Sequence, residues 1–357
     1  MDRVAMLKDH LNSALVIYEE TPQSLIATLN RPKVLNALTH ELLQYLHTAL
    51  NRLGLRTLIL QGTGKAFCAG GDVVYLSTHP EASPAFFQAE FSLFYRIQRR
   101  ENFSVAVMKG ATMGGGAGLS AACKARVVTE TTLWAFPETV IGFVPDVGAN
   151  YLLPRLTSKA MGLYLALTGD RLNGADCFYL GIGTHYVEEA KLLELLLALK
   201  DSSNALEVLT RFHTSPDRAL CSVLKQQSLI EETFTNVPTI EDLVTRLVHQ
   251  SSEWARKTLA TLQFMCPLSL KVELRNFELG ATQTYGEVLD HEYAVAVQMT
   301  SVHNANFLTG ITTRLVRKEK TRPAWTPATV AEVTEEMVAA CLTNLNGPHL
   351  GTSLIRD

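Results

Sequence analysis

Two acidic side chains stand in an otherwise apolar stretch of the sequence, each directly after a proline. They are Glu138 and Asp146, in Phe136-Pro-Glu-Thr-Val-Ile-Gly-Phe-Val-Pro-Asp146. A carboxylate is costly to bury unless it is paired or used, and burial raises its pKa towards the range that suits proton transfer. The pair therefore predicts a centre for acid–base or nucleophilic chemistry. The alternative is that both residues only cap turns or helix starts.

Two glycine-rich segments could bring backbone N–H groups close to a ligand, because glycine has no Cβ. They are Gly62-Thr-Gly-Lys-Ala-Phe-Cys-Ala-Gly-Gly-Asp72 and Gly110-Ala-Thr-Met-Gly-Gly-Gly-Ala-Gly-Leu-Ser120, each directly after a β-rich run. Such turns bind phosphate, bind a developing oxyanion, or only pack tightly. Neither has the Gly-Lys-Ser/Thr of a P-loop or the Gly-x-Gly-x-x-Gly of a dinucleotide site. Their recurrence at two strand ends favours a pair of oxyanion donors.

The elements that must position these residues alternate between strand and helix from about Ala14 to Val187. A helical stretch, Thr39–Leu50, has one apolar face and a threonine that can cap its start. Alternating strands and helices predict an α/β core. The β-rich runs are bounded by polar residues, glycine or proline and comprise Ser24–Leu29, Arg56–Gln61, Ser104–Lys109 and Ala125–Thr129.

The second half of the chain has helical periodicity, as in Lys191–Leu199, Thr239–Val248 and Ser252–Leu259. Thr239 followed by Asp242 resembles a capping box, with aspartate where glutamate or glutamine is usual. The sequence therefore predicts two domains, an α/β core over residues 1–189 and a helical region over residues 190–357.

Composition excludes several classes of function. The 357 residues are 47% apolar and 19% charged with a formal net charge of −3, which predicts a large core and argues against a nucleic-acid partner. Six cysteines without a Cys-x-x-Cys pair predict reduced thiols in an intracellular protein, and no His/Cys cluster has metal-site spacing. No apolar run of about 18 residues predicts a membrane span. Residues 1–10 form neither a secretory signal nor a convincing transit peptide.

Ordered motifs along the chain carry a family resemblance. The chain resembles the crotonase (enoyl-CoA hydratase/isomerase) superfamily and, within it, the 3-hydroxyisobutyryl-CoA hydrolases. The resemblance implies a crotonase-like spiral of ββα units with a C-terminal helical region. It runs from Asn30-Arg-Pro-Lys-Val-Leu-Asn-Ala-Leu38 through Gly181-Ile-Gly-Thr-His-Tyr-Val187, and more loosely through Cys266-Pro-Leu-Ser-Leu-Lys271, Asp290-His-Glu-Tyr293, Asn304-Ala-Asn-Phe-Leu-Thr-Gly-Ile311 and Lys318 to Trp325.

The resemblance also implies roles for particular residues. The backbone N–H groups of Ala69 and Gly115 would form an oxyanion hole for the thioester oxygen. Lys33 and Lys65 are candidates for contacts to the phosphates of coenzyme A, the alternative being that both are solvated surface lysines. Further contacts to the substrate are implied for Gly70, Gly71, Asp72, Gly114 and Glu90.

Two positions distinguish hydrolase from hydratase within the superfamily. Hydratases carry a second glutamate two positions after the glycine string, where this sequence has Gly118, and glycine where it has Asp146. The resemblance therefore implies that Glu138 attacks the thioester, giving a mixed anhydride, or acts as general base to a water. Asp146 would orient the 3-hydroxyl group of the substrate or the water, with help from Glu90.

The implied reaction is hydrolysis of a 3-hydroxyacyl-CoA thioester, above all 3-hydroxyisobutyryl-CoA in valine catabolism. Coenzyme A would be part of the substrate, with no separate cofactor and no metal, and the setting would be mitochondrial. Two alternatives stay open: an enzyme of the hydratase/isomerase type, and a hydrolase-like structural subunit of a large assembly such as a mitochondrial ribosome. The sequence leaves open whether the protein is a homotrimer or a monomer.

Overall fold

A computed structural model describes residues 14–156, 158–343 and 350 of the chain, so the N-terminal residues 1–10 lie outside the described part. The strands are β1 Val16–Glu20, β2 Ser24–Leu29, β3 Thr57–Gly62, β4 Ala66–Cys68, β5 Ser104–Met108, β6 Ala111–Met113, β7 Ala125–Val128, β8 Leu133–Ala135, β9 Leu172–Asn173 and β10 His185–Tyr186. The helices are α1 His40–Arg52, α2 Val73–Thr78, α3 Ser83–Arg99, α4 Gly115–Ala121, α5 Ala149–Leu152, α6 Lys159–Thr168, α7 Gly174–Tyr179, α8 Leu192–Lys200, α9 Ala205–Phe212, α10 Gln227–Phe234, α11 Ile240–His249, α12 Glu253–Phe264, α13 Pro267–Gly280, α14 Tyr285–Met299, α15 Ala305–Ile311 and α16 Glu335–Leu342.

The mixed α/β fold with a helical C-terminal region is confirmed, and the four β-rich runs form β2, β3, β5 and β7. The helix that was predicted from Thr39 is α1, where the Thr39 hydroxyl accepts a hydrogen bond from Leu42 N–H at 3.1 Å. Thr239 caps α11 in the same way, through Asp242 N–H. The residues at which α1 and α11 begin are specified by nearby sequence, because a capping side chain and an apolar face are enough to define a helix start.

The strands form two sheets. A six-stranded sheet has the order β1-β2-β3-β5-β7-β10, antiparallel between β1 and β2 and parallel between all its other neighbours. Its inner strands are buried on both faces, which is why their sequences are nearly continuous apolar runs. A four-stranded sheet has the order β4-β6-β8-β9. Strands β4 and β6 run parallel and pair Cys68 with Thr112.

Each glycine-rich segment therefore contains a short strand that the sequence pattern did not predict. Strand β4 lies within the first segment and β6 within the second. Three residues are too few for a period-two pattern to stand out. Because β4 and β6 are parallel neighbours, the turns that follow them leave the sheet at the same edge.

The described chain divides into two compact units whose segments alternate along the sequence. Unit 1 covers residues 14–71, 92–134 and 171–222, and unit 2 covers residues 72–91, 135–170 and 223–350. The domain boundary between residues 189 and 190 stays a prediction. Helices α8 and α9 come after that boundary in sequence and belong to unit 1. Within the described residues, no helix is both long and apolar enough to cross a membrane.

Each unit has its own buried core. In unit 1, Leu195 and Leu199 of α8 and Leu209 of α9 belong to the same apolar cluster as the inner strands of the six-stranded sheet. In unit 2, aromatic rings stack and meet edge to face, including Phe87 on Phe143 at 5.9 Å between centroids. Burial of the apolar surface of these side chains is the main contribution to the stability of a fold of this size.

Candidate active site

The buried side chain of Asn36 holds the first glycine-rich segment in place. Its amide donates to Thr63 O at 2.9 Å and Ala66 O at 2.8 Å, and its oxygen accepts from Arg31 N–H at 2.8 Å. Asn36 has a φ of +58°, a conformation that asparagine tolerates better than most residues. These three hydrogen bonds fix the chain on either side of Gly64 and so set the start of β4.

The oxyanion-donor prediction for Ala69 is wrong, because its N–H group is already used. Ala69 N–H donates to Leu35 O at 3.0 Å, as part of a short pairing in which Leu38 N–H also donates to Gly70 O at 2.8 Å. Within the described residues, the N–H groups of Gly70, Gly71, Gly114 and Gly115 donate to no backbone acceptor in the turns, and of these Gly71 and Gly115 are our candidates for the donor pair. Sequence position alone could not show this, since the Leu35 carbonyl lies more than thirty positions earlier.

The two glycine turns pack backbone against backbone. A Cβ on Gly70, which has a φ of +102°, would lie 3.2 Å from Met113 O and 3.4 Å from Gly115 N. A Cβ on Gly116 would lie only 2.0 Å from Cys68 O. Gly114, with a φ of +51°, precedes α4. The two turns can therefore pack this closely only because these positions are glycine.

The remaining predicted residues of the glycine-rich segments occupy separate positions. Lys33 and Lys65 are both exposed. The residues that precede them lie close together, since a Cβ on Gly64 would lie 3.0 Å from Pro32 Cβ. Asp72 caps α2 by accepting a hydrogen bond from Tyr75 N–H at 3.4 Å. Gly118 is buried in α4.

Glu138, in unit 2, starts a single 3-10 turn that ends at Gly142 in the left-handed conformation. Two close glycine contacts hold this turn against α15: a Cβ on Gly142 would lie 2.4 Å from Asn306 O, and one on Gly310 would lie 2.3 Å from Ile141 O. These contacts explain part of the Asn304–Ile311 motif, whose small residue lets the helix approach the turn.

Asp146 begins a tight turn into α5. Ala149 N–H donates to Asp146 O at 2.9 Å, and the two residues between them both have positive φ values, +55° at Val147 and +88° at Gly148. A left-handed conformation is common for glycine and rare for a β-branched residue such as valine. The turn is therefore strained, a condition that is often found at functional sites.

Glu90, Glu138 and Asp146 come together in unit 2, as their mutual electrostatic effects show. Burial raises the pKa of Glu138 to about 8, and the charges of Glu90 and Glu292 add to that rise. Burial likewise raises the pKa of Glu90 to about 8. Burial, followed by the charges of Glu90 and Glu138, raises the pKa of Asp146 well above its usual value. Carboxyl groups whose pKa is raised towards the neutral range can exchange protons during a reaction.

Two further buried carboxyl groups belong to this cluster and escaped sequence analysis, Glu273 on α13 and Glu292 on α14. Burial raises the pKa of Glu292 to about 7 and that of Glu273 well above its usual value. Each lies on the apolar stripe of its helix at helical spacing, for example Glu292 beside Val288 and Val295. A charged residue on a buried stripe is the signal that could have revealed them.

Several oxygen atoms of the cluster have no hydrogen-bond partner among the described protein atoms. They are Oε2 of Glu138, Oε1 of Glu90 and both oxygens of Glu273, although the amides of Asn150 and Asn276 lie close enough to lower the pKa of Glu273. An unpaired buried carboxyl is expensive, so its retention suits a group that acts on a ligand.

Comparisons with known proteins place this arrangement in a family. The family model described as enoyl-CoA hydratase/isomerase matches residues 24–342. The chain belongs to the enoyl-CoA hydratase/isomerase family. The mitochondrial 3-hydroxyisobutyryl-CoA hydrolase of Homo sapiens is 39% identical over 337 residues, which cover 90% of this chain and 86% of that protein. The corresponding hydrolase of Danio rerio is 37% identical and covers 93% and 90%.

Solved structures agree with the family assignment. A carnitinyl-CoA dehydratase from Mycobacterium thermoresistibile has a TM-score of 0.87 at 32% identity, covering 95% of this chain and 99% of that one. An enoyl-CoA hydratase from Rhodobacter sphaeroides has a TM-score of 0.83 at 30% identity, covering 93% and 98%. The predicted superfamily and its crotonase-like fold are confirmed.

Proposed function

We propose that this chain hydrolyses the thioester of a 3-hydroxyacyl-CoA, with 3-hydroxyisobutyryl-CoA as the preferred substrate and 3-hydroxyisobutyrate and CoA as products. The observation that carries the proposal is the Glu138 side chain, a buried carboxyl with a pKa near 8 and one oxygen unpaired within the described protein. The curated hydrolases that resemble the chain over most of its length support the same reaction.

In the proposed mechanism, the N–H groups of Gly71 and Gly115 donate to the thioester oxygen as it gains negative charge. Gly71 takes the role first given to Ala69, whose N–H is bonded to Leu35 O. A single oxyanion donor of this kind is typically worth about 3 kcal/mol in the transition state. The contribution of a backbone N–H cannot be removed by changing a side chain.

The carboxylate of Glu138 then either attacks the thioester carbon or takes a proton from a water that attacks it. In the first case the C–S bond breaks, CoA leaves as a thiolate that takes up a proton, and water cleaves the mixed anhydride to restore Glu138. Either route requires the anionic form of Glu138. Burial raises the pKa of its neighbour Glu90 to about 8 and that of Asp146 above its usual value, which favours the protonated forms that can donate protons or hydrogen bonds.

Selectivity for a 3-hydroxyacyl group would come from Asp146 and Glu90. A buried carboxyl that binds a hydroxyl group is left unpaired by an analogue without it, and such sites discriminate strongly. The exposed lysines Lys33 and Lys65 would contact CoA phosphates, and Gly70, Asp72 and Gly114 would shape the approach of the substrate. Gly118 carries no carboxyl group, which removes the second acid that hydratases of the superfamily use.

The test measures free CoA with a thiol reagent as purified protein acts on 3-hydroxyisobutyryl-CoA, isobutyryl-CoA and an α,β-unsaturated acyl-CoA. We expect kcat/KM for the hydroxylated substrate to exceed that for isobutyryl-CoA by about 100-fold or more, as for other sites that bind a substrate hydroxyl. Water addition to the unsaturated substrate, followed by its ultraviolet absorbance, should be absent. Equal rates on both saturated substrates would reject the selectivity, and hydration without CoA release would reject the hydrolase.

We further propose a mitochondrial location, since the curated relatives are mitochondrial proteins. Cell fractionation of the untagged protein tests this location. Size-exclusion chromatography with light scattering would distinguish a monomer from the trimer that the resemblance allows.

A further inference from the structure

The turn that carries Asp146 does not hold its shape by its own local preferences. Val147 is buried and β-branched, yet its φ is +55°. Gly148 follows at +88°, and a Cβ there would lie 2.7 Å from the Tyr285 ring. Two successive left-handed residues, one of them valine, persist only where surrounding structure fixes them.

Glu292 supplies that constraint from α14, 144 positions further along the chain. Its Oε2 accepts a hydrogen bond from Gly148 N–H at 2.5 Å, and its Oε1 accepts from Asn150 N–H at 3.0 Å and from Asn150 Nδ2 at 3.1 Å. Both carboxylate oxygens are therefore bonded to the two residues that end the turn. Hydrogen bonds to an ionised acceptor are stronger than neutral ones.

These donors set Glu292 apart from the other buried acids. Burial raises its pKa to about 7, but the N–H groups of Asn150 and Gly148 oppose that rise. Glu273, which is buried nearby and shares an electrostatic interaction with Glu292, accepts no hydrogen bond of good geometry among the described residues. The same helix also carries Glu287, an exposed glutamate outside the cluster that accepts hydrogen bonds from Thr284 at the start of α14.

We propose that Glu292 is a positioning residue for Asp146: its carboxylate holds the Asp146–Asn150 turn in the strained conformation that aims the Asp146 side chain. The proposal rests on the function proposed above for Asp146. Glu292 touches no reacting atom itself, and its effect on the reaction passes through the turn. Deleting its acceptor should therefore lower kcat while leaving the binding of substrate largely unchanged.

The experiment is a double-mutant cycle between Glu292→Gln and Asp146→Asn, with Glu287→Gln on the same helix as the matched control. Glutamine keeps the size of the side chain but replaces one acceptor oxygen by a donor, which then faces an N–H group of the turn. We expect Glu292→Gln to lower kcat by about 10-fold or more with KM changed by less than about 3-fold. Glu287→Gln should lower kcat by less than about 3-fold, since Glu287 is exposed and glutamine can keep the capping hydrogen bonds at the start of α14.

The cycle separates positioning from a merely structural role. If Glu292 acts through Asp146, the double variant should be no slower than Asp146→Asn alone within about 2-fold, because the group to be positioned is already gone. Losses that multiply would overturn the proposal, as would a Glu292→Gln variant with the kcat of the natural protein. Wild-type kcat in Asp146→Asn would reject the role proposed for Asp146 and this inference with it. Loss in Asp146→Asn without loss in Glu292→Gln rejects only the positioning.

A second variant keeps the test decisive if Glu292→Gln fails to fold. Asn150→Leu removes the side-chain hydrogen bond to Glu292, together with a longer one to Pro145 O at 3.3 Å. It leaves the Glu292 carboxylate and both backbone donors in place. We expect a smaller loss of kcat, about 3- to 10-fold, that again disappears in the Asp146→Asn background. An Asn150→Leu variant whose loss persists undiminished in that background would contradict the proposal.

Discussion

Replacement of Glu138 by glutamine should change how stability depends on pH as well as abolish turnover. The side chain is only 6% exposed, and burial raises its pKa from 4.5 to about 8. The charges of Glu90 and Glu292 add to that rise. Glutamine has nearly the same size and no ionisable proton, so Glu138→Gln removes the titration and little of the packing.

The expected magnitude follows from the pKa change. A raised pKa means that the folded protein binds this proton more tightly than the unfolded chain does. Between pH 4.5 and about 8 the unfolded chain releases the proton and the folded protein keeps it, so stability falls as pH rises. At about 1.4 kcal/mol per pKa unit, the loss attributable to Glu138 reaches about 5 kcal/mol above pH 8. Glu138→Gln should recover that loss.

The assay is urea unfolding of the natural protein and Glu138→Gln at pH 5, 7 and 9, together with CoA release over the same range. The difference in free energy of unfolding, variant minus natural protein, should grow by up to about 5 kcal/mol from pH 5 to pH 9. The kcat/KM of the natural protein should rise with pH towards a plateau above about 8, because the anion is the reactive form. Glu138→Gln should lose about 10²- to 10⁴-fold in kcat.

Two results would refute this reasoning. An unchanged pH dependence of unfolding in Glu138→Gln would show that Glu138 is not held protonated by the folded protein. Full CoA release by the variant would show that Glu138 is not the reacting carboxyl. The Glu287→Gln variant serves as a control, since Glu287 is exposed at the start of α14 and its replacement should leave turnover and the pH dependence of unfolding between pH 5 and 9 unchanged.

Two further substitutions test how the oxyanion edge is built. Asn36→Ala should lower the free energy of unfolding by about 3 kcal/mol, because three buried hydrogen bonds worth about 1 kcal/mol each are lost; a loss below about 1 kcal/mol in urea titrations would contradict this. Gly116→Ala should cost more than about 3 kcal/mol, because its Cβ would lie 2.0 Å from Cys68 O. Gly54→Ala, where a Cβ meets nothing within 4 Å but φ is +59°, is the control for backbone strain alone.

Local features of the fold were predictable from the sequence. The inner strands β2, β3, β5 and β7 are apolar runs between breaks, and α1 begins at a threonine whose cap needs only the next three residues. Strands β4 and β6 were missed because a strand of three residues is too short to show the alternating apolar and polar pattern of a strand. Such features depend on neighbours in sequence, which is why a pattern can reveal them.

The candidate site likewise has some residues that the sequence revealed and others that it did not. Glu138 and Asp146 were visible as acids in apolar sequence, and the structure gives them the burial that such a context predicts. The choice between Ala69 and Gly71 as donor was not visible, because it depends on where the Leu35 carbonyl lies after folding. A backbone N–H has no sequence signature of its own.

The sequence by itself determined the family, the strands that lead into the glycine turns, and the two acids expected to do the chemistry. These features depend on residue types and short spacings, which can be identified without knowing which distant residues are in contact. Only the tertiary structure decided that Glu292 on α14 bonds the turn after Asp146, 144 positions away from Gly148. Such a contact is created when helix and turn are packed together, and nothing in the local sequence at either end specifies the other.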